Sequence, residues 1–215
     1  MQWSQHFTAD WGQAASTAVA AYLLGCFTTG YYLVRSWLGK DLRMLGSGSL
    51  GARNASRELG WCGFLITLAG DLGKGALAVW VAARFGSDPS LAGIALVAVL
   101  AGHIWPIQLR LQGGKGVATF LGALMIYDFR LAAAWALMFA GPFAVLRRVT
   151  SSAMLAFAML PFAAMWLSRH DLLPAALAHS AVVILASGMV LFAHRKNLGQ
   201  EFSEILAHRA IRSKH

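Results

Sequence analysis

Long apolar stretches constrain the fold of this chain more than any other feature of its sequence. Four of them, beginning at Ala14, Trp61, Leu91 and Ala175, run for about 20 residues, enough for an α-helix to cross the roughly 30 Å hydrocarbon core of a bilayer. The complete set of seven apolar segments is 14–34, 61–83, 91–109, 117–127, 131–146, 153–167 and 175–193. The pattern predicts an all-α, polytopic membrane bundle of about seven transmembrane helices, forming a single domain over residues 1–215.

The segment 117–127 is too short to span the bilayer alone. At a rise of 1.5 Å per residue it covers only about half of the hydrocarbon core. It either extends into the Gly-rich stretch before it or forms a partial span, and five full spans remain an alternative.

Composition supports the membrane class and excludes two others. The chain is 58% hydrophobic and 13% charged, which leaves too little polar surface for a soluble domain of this length. The net charge is +9, but the basic residues lie between the apolar segments instead of forming one block. Nucleic acid is therefore not an expected partner.

The basic residues are distributed asymmetrically across the predicted membrane. Alternating the seven segments places on one side Arg35, Lys40, Arg43, Arg53, Arg57, Arg110, Lys115, Arg147, Arg148, Arg195, Lys196, Arg209, Arg212 and Lys214. Only Arg84, Arg130 and Arg169 fall on the other side. Because Lys and Arg in short loops are retained in the cytoplasm, we expect an outside N-terminus and a cytoplasmic C-terminus.

The first polar cluster is the Gly/Ser-rich segment 46–54, followed by Arg57. Glycines let backbone N–H groups converge, Ser47 and Ser49 add hydroxyl donors, and arginine suits an anion. The alternative is a flexible loop whose arginines merely obey the positive-inside rule.

The second cluster runs from Gly102-His103 to Gly113-Gly114-Lys115-Gly116, which opens the helix containing Thr119. A Gly-rich turn at a helix N-terminus offers unpaired N–H groups and a positive dipole end, and Lys115 adds a full charge, so phosphate is the expected ligand. The spacing is not that of a Walker A loop, which disfavours nucleotide hydrolysis. The alternative is a glycine hinge between helices.

Two smaller clusters complete the polar residues. Asp71 and Lys74 are three apart within an apolar helix, so they share a face and can pair, either at a functional site or as a structural ion pair. The group His194, Asn197 and Glu201 shares a helix face after the last segment, where a polar helix exit is the alternative. His103 has no second ligand at metal-binding spacing, and we predict no metal or other cofactor.

These motifs, in this order, resemble the acyl-phosphate glycerol-3-phosphate acyltransferases (PlsY) over roughly residues 20–201. The most specific part is Gly-Gly-Lys-Gly-Val-Ala-Thr at 113–119. The resemblance implies a seven-helix bacterial inner-membrane enzyme whose active site faces the cytoplasm. Such an enzyme moves a fatty acyl group from acyl phosphate to the 1-hydroxyl of glycerol 3-phosphate, giving lysophosphatidic acid and phosphate, as a monomer whose partners are its substrates and membrane lipid.

The resemblance also implies roles for individual residues. Ser47, Arg57 and Lys115 would contact substrate phosphate or hydroxyl groups, and His194 with Asn197 would hold glycerol phosphate; these five form the predicted catalytic set. Backbone N–H groups of Gly113, Gly114 and Gly116 would cradle the acyl phosphate. The remaining predicted substrate-binding residues are Gly46, Asn54, Lys74, His103, Thr119, Ser151 and Glu201.

The chain departs from the family pattern in its first motif. Ser49 replaces the usual Asn, and Arg53 replaces a small Thr. The family's later Ser motif is matched only loosely by Val149-Thr150-Ser151-Ser152. Two alternatives to the family reaction follow: the same scaffold with a different acceptor, or a non-catalytic protein that binds or transports phosphate esters or lipid.

Overall fold

The computed structural model describes residues 10–195 and Gly199. This part of the chain is helical and contains no strand. Its α-helices are α1 (Trp11–Cys26), α2 (Thr29–Leu38), α3 (Ala52–Phe85), α4 (Ser90–Ile104), α5 (Val117–Tyr127), α6 (Phe129–Leu146), α7 (Val149–Leu167) and α8 (Leu173–Ala193). Two 3₁₀ turns, Leu42–Met44 and Ile107–Leu109, lie in the connections. The predicted all-α class is confirmed.

Six stretches of the described chain are long and apolar enough to cross a membrane. They are Trp11–Leu38, Ala52–Phe85, Ser90–Leu109, Phe129–Leu146, Val149–Leu167 and Leu173–Ala193. The seventh apolar helix, α5, begins at Val117 without extending into the Gly-rich stretch, and its 11 residues cover about 16 Å. The chain is a polytopic membrane protein as predicted, whereas seven full spans and the direction of the termini stay predictions.

Two of the predicted segments differ from the helices of the structure, one by a break and one by an earlier start. The first is broken between α1 and α2, where Phe27 and Thr28 are extended. The helix predicted to begin at Trp61 begins at Ala52 instead, and Gly60, with φ +62°, separates its polar first turns from the apolar remainder. Apolar periodicity could not find this start because residues 52–59 are mostly polar.

The helices α1–α4 and most of α5 belong to one compact unit, in which glycines allow close backbone contact. Where α1 meets α4, a Cβ on Gly25 would collide with the carbonyl of Val99, and one on Gly102 with that of Tyr22. Small residues at such crossings are typical of membrane helices, since packing replaces the hydrophobic driving force available in water. Beside these helices lies a buried apolar cluster that comprises Val34, Leu42, Leu50, Ala55 and Leu109.

The helices α6–α8, together with Lys115–Val117, belong to a second compact unit. Trp135 of α6 stacks on Phe139 and packs against Phe157 of α7, with ring centroids 5.3 and 5.1 Å apart. The outer face of α6 is apolar and exposed, for example at Leu137 and Val145, as expected for a surface that meets lipid. The single domain predicted for residues 1–215 stays a prediction.

Candidate active site

The loop before α3 is organised by the side chain of Asn54. Its Oδ1 accepts a hydrogen bond from the N–H of Ser47 at 3.0 Å. Its Nδ2 lies within 3.3 Å of the carbonyl oxygens of Leu42, Leu45 and Ser49. Because Asn54 is buried and its amide is engaged with the backbone, the structure shows it shaping the loop. Its predicted contact with substrate stays a prediction.

Gly46 and Ser47 of the same loop are exposed, as is Arg57 of α3. Gly46 has φ +53°, a conformation that favours glycine, and a Cβ there would meet the Arg57 side chain. The guanidinium of Arg57 therefore lies over Gly46. Ser47 is the next residue in the chain. An exposed guanidinium next to a loop that carries an exposed serine suits an anionic ligand. Arg53, a departure from the family pattern, is also exposed, in the first turn of α3.

The Gly-rich loop closes on the end of α4 before it reaches Lys115. The N–H of Gly113 donates to the carbonyl of Ile104 at 3.1 Å, and that of Gly114 donates to the carbonyl of His103 at 3.0 Å. Both N–H groups were predicted to cradle acyl phosphate, and in this structure they bind protein carbonyls instead. Their part in substrate binding stays a prediction that requires those two hydrogen bonds to open.

The start of α5 offers a different set of N–H groups. Gly116 turns the chain with φ +83°, and α5 begins at the next residue. The first N–H groups of an α-helix have no partner within the helix, so this end presents donors and a positive dipole beside Lys115. Thr119 is fully buried where α5 packs on Gly75, so its predicted substrate contact stays a prediction.

Asp71, Lys74 and His103 form a buried polar cluster. The predicted ion pair is confirmed, with Lys74 Nζ 3.1 Å from Asp71 Oδ1. Lys74 Nζ also lies 2.7 Å from Nδ1 of His103. Since these side chains are at most 4% exposed, their contacts are with protein. The predicted substrate contacts of Lys74 and His103 stay predictions.

His194 and Lys115 both lie in the second unit, and the charge of Lys115 acts on the imidazole. Burial lowers the pKa of His194 from its ordinary value of 6.5, the hydrogen bond to Val190 raises it, and Lys115 lowers it; the pKa is lowered on balance. Nδ1 lies 2.8 Å from the carbonyl oxygen of Val190. Because a carbonyl only accepts, Nδ1 carries the proton and the neutral ring presents Nε2 as an acceptor.

The structure bears on which hydroxyl of the loose Ser motif, residues 149–152, could contact a ligand. Ser152 is fully buried, and its Oγ donates to the carbonyl of Arg148 at 2.7 Å. Ser151, the predicted binding residue, is half-buried at the start of α7. The predicted residues Asn197 and Glu201 lie outside the described residues.

The sequence reasoning missed Gln108, whose Nε2 donates to the carbonyl of Cys26 at 2.6 Å. Its only signal was an amide side chain in the connection after α4. It also missed a chain of contacts in which Ser168 Oγ lies 3.1 Å from His179 Nδ1, and His179 Nε2 lies 3.4 Å from Asp128 Oδ2. Ser168 is buried, so this trio holds helix ends together. His179 is roughly 20 Å along α8 from His194.

Comparison with known proteins decides the family. The family model described as "Glycerol-3-phosphate acyltransferase" matches residues 15–204. The chain belongs to this family. The resemblance stated from the sequence is thereby confirmed, and the chain is an integral membrane acyltransferase.

Relatives and solved structures agree with this family membership. "Glycerol-3-phosphate acyltransferase 1" of Desulfitobacterium hafniense strain Y51 is 44% identical over 180 residues, which covers 84% of this chain and 86% of the relative. "Glycerol-3-phosphate acyltransferase" of Thermus thermophilus is 38% identical over 187 residues, covering 86% of this chain and 89% of the relative.

The fold resembles that of a solved family member. A crystal structure of PlsY (YgiH), an integral membrane glycerol 3-phosphate acyltransferase in its glycerol 3-phosphate form, has a TM-score of 0.78 at 27% identity and covers 90% of this chain and 94% of that chain. The lysophosphatidic acid form has a TM-score of 0.76 at 26% identity, with 90% and 93% covered.

Proposed function

We propose that this protein transfers a fatty acyl group from acyl phosphate to the 1-hydroxyl of glycerol 3-phosphate. The products are lysophosphatidic acid and inorganic phosphate. The family membership supports the acceptor, since relatives carry its name and the similar crystal structures are the glycerol 3-phosphate and lysophosphatidic acid forms. The acyl phosphate donor is taken from the family resemblance, and the phosphate-suited groups around Lys115 support it.

One observation carries the proposal: Lys115 lies just before the Gly116 turn that begins α5, and its charge helps to lower the pKa of His194. A cation beside a helix N-terminus binds a phosphate through charge and backbone donors together. A neutral imidazole nearby can accept a hydrogen bond from a hydroxyl. A phosphate leaving group and an attacking alcohol therefore each have a matching group within the second unit.

The reaction needs little chemistry from the protein, because acyl phosphate is already activated. The glycerol 3-phosphate oxygen attacks the acyl carbonyl carbon, and the bond from that carbon to the phosphate oxygen breaks. The hydroxyl proton passes to the departing phosphate. Lys115 stabilises the negative charge that develops on this phosphate, while Nε2 of His194 orients the hydroxyl.

Ser47 and Arg57 are assigned to substrate phosphate or hydroxyl groups on the strength of their own loop, where both are exposed beside Gly46. Ser151, half-buried at the start of α7, is the assigned hydroxyl of the loose Ser motif. The family resemblance supports both assignments, together with those of Asn197 and Glu201.

The location of the site is also part of the proposal. The residues Lys115, Arg147 and Arg148 of the second unit all fall on the predicted cytoplasmic side. We place the enzyme in the bacterial inner membrane with its substrates reaching it from the cytoplasm. The predicted monomer stays a prediction.

Replacement of Lys115 by Ala tests the proposal. We expect kcat/KM for palmitoyl phosphate and glycerol 3-phosphate to fall by about 10²- to 10³-fold, as for loss of other charge-stabilising groups. The matched control is Lys40→Ala, which removes an exposed lysine on the same predicted side and should leave the rate unchanged. Wild-type turnover by a folded Lys115→Ala protein would contradict the assignment.

A further inference from the structure

The break between α1 and α2 leaves carbonyl groups that need donors. Within a membrane, a carbonyl group without a hydrogen-bond donor costs free energy, because lipid chains cannot donate a hydrogen bond to it. Lys74 Nζ donates to the carbonyl oxygens of Gly25 at 3.1 Å and Phe27 at 2.7 Å. Gln108 Nε2 donates to the carbonyl between them, that of Cys26, at 2.6 Å. Two side chains from elsewhere in the same unit thus cap three consecutive carbonyls at the break.

The Lys74 ammonium also contacts two buried side chains. Asp71 Oδ1 lies 3.1 Å away and balances its charge, and this carboxylate also accepts from the hydroxyl of Thr29 at 3.2 Å. His103 Nδ1 lies 2.7 Å away. Because an ammonium can only donate, Nδ1 is the acceptor and the His103 proton resides on Nε2. The ring orientation is therefore fixed from the side of the helix break.

The far edge of the His103 ring supports the Gly-rich loop. A Cβ on Gly114 would collide with Nε2, and it would also meet Cε1 and Cδ2 of the ring. The N–H of Gly114 donates to the His103 carbonyl at 3.0 Å, and that of Gly113 donates to the Ile104 carbonyl at 3.1 Å. The backbone immediately before Lys115 therefore rests on this imidazole.

Additional hydrogen bonds join the same two regions. The hydroxyl of Tyr22, on α1, donates to the carbonyl of Trp105 at 2.8 Å. The bond from Gln108 to Cys26 makes a second such attachment. With the Lys74–His103 contact, the segment 103–114 is attached at three points to the end of α1 and its cap.

We propose that Lys74 is a positioning residue for the reaction. It holds the α1–α2 break and, through His103, sets the position of the loop that carries Lys115. The inference rests on the proposed function only in that Lys115 binds the donor phosphate. A role restricted to helix packing would affect stability without changing either the loop or the KM for the donor.

The double variant Asp71→Asn/Lys74→Met tests this proposal. Both charges are removed together, since Lys74→Met alone would leave a buried carboxylate without its partner. We expect the amides of residues 113–116 to exchange hydrogen for deuterium faster and the KM for palmitoyl phosphate to rise by about tenfold, with a smaller change for glycerol 3-phosphate. The control Thr67→Val removes a buried α3 hydroxyl without a hydrogen-bond partner and should change neither quantity. Unchanged exchange and unchanged KM in folded protein would overturn the proposal.

A second pair of variants tests the contact between ring and loop. Gly114→Ala should raise the KM for palmitoyl phosphate because the new Cβ displaces the loop from the ring. His103→Ala should also raise this KM and speed hydrogen exchange at residues 113–116, because the loop loses the ring on which it rests. Unchanged KM and unchanged exchange in folded His103→Ala protein would show that His103 does not set the loop position, and the proposal would be wrong.

Failure of the proposed function would be recognised separately. Absence of turnover in the wild-type protein would refute acyl transfer from palmitoyl phosphate, whereas hydrogen exchange at 113–116 reports the loop without any turnover. Faster exchange in the Asp71→Asn/Lys74→Met protein would still support the positioning role. Unchanged exchange would refute it whether or not the protein is active.

Discussion

A single backbone contact decides what His194 can do. With its Nδ1 proton donated to Val190, the neutral ring has Nε2 available as an acceptor, which is the role we propose for it toward a substrate hydroxyl, and a protonated ring has no acceptor. Burial and Lys115 hold the pKa of His194 below its ordinary value of 6.5. Transfer should therefore persist at pH 6.5 and decline at more acidic pH, as measured by kcat/KM from about pH 5 to about pH 8.

The variant His194→Gln separates this titration from that of the substrate phosphates. The acidic limb assigned to His194 should disappear from the pH profile of this variant, which should also have a lower overall rate. An unchanged limb would assign the ionisation to substrate.

The lowered pKa of His194 also makes the folded protein less stable in acid. Because the folded pKa is lowered, the unfolded chain binds more protons in acid. The contribution of His194 to the free energy of unfolding is complete above its ordinary, unfolded-state pKa, and it is lost as the pH falls through its pKa in the folded protein.

The local setting of individual candidate residues could be predicted from the sequence where chemistry and spacing point the same way. Lys115 among glycines at a helix start is such a case. Asn54 is the opposite case, because a loop-shaping amide and a substrate-binding amide look alike until hydrogen bonds are seen. Lys74 combined both situations: its partner Asp71 was predictable at a spacing of three, whereas its carbonyl partners at Gly25 and Phe27 are distant in sequence.

At the scale of elements, the seven apolar segments were predictable, but not their interruptions. The α1–α2 break lies within apolar sequence, so the hydropathy pattern gives no sign of it. Its carbonyl groups are tolerated in a membrane because Lys74 and Gln108, which are distant in sequence, donate hydrogen bonds to them. The early start of α3 was missed because its first turns are polar. The close contacts between helices likewise depend on glycines, and the sequence around a glycine does not identify the helix that it meets.

The crossing of α1 and α4 yields a prediction about stability. Gly25→Ala places a Cβ against the Val99 carbonyl, so we expect the thermal midpoint in detergent to fall, with a loss of about 1–3 kcal/mol from overpacking. Gly73→Ala on α3 is the matched control, since within the described residues its new Cβ meets nothing within 4 Å apart from its own chain neighbours and local helix backbone. Its greater helix propensity should keep the midpoint unchanged or raise it. An equal fall in both variants would show that the α1–α4 contact is not the cause.

For the whole molecule, charge asymmetry predicts the orientation in the membrane. With Cys26 and Cys62 replaced by Ser, Ser87→Cys in the connection after α3 should react with an impermeant maleimide added to spheroplasts, because that connection is predicted to lie outside. Lys40→Cys, in the connection after α2, should react only after lysis. The reverse pattern would place Lys115 and its proposed phosphate site on the outer side.

Acyl transfer is measured by acceptor-dependent release of phosphate. Purified protein in detergent is given palmitoyl phosphate with and without glycerol 3-phosphate, while released phosphate and product mass are followed. We expect phosphate release that requires glycerol 3-phosphate and equals the amount of lysophosphatidic acid formed. Phosphate release that does not depend on glycerol 3-phosphate, or no release from folded protein, would contradict acyl transfer to this acceptor. The altered residues Ser49 and Arg53 would then be the first to examine.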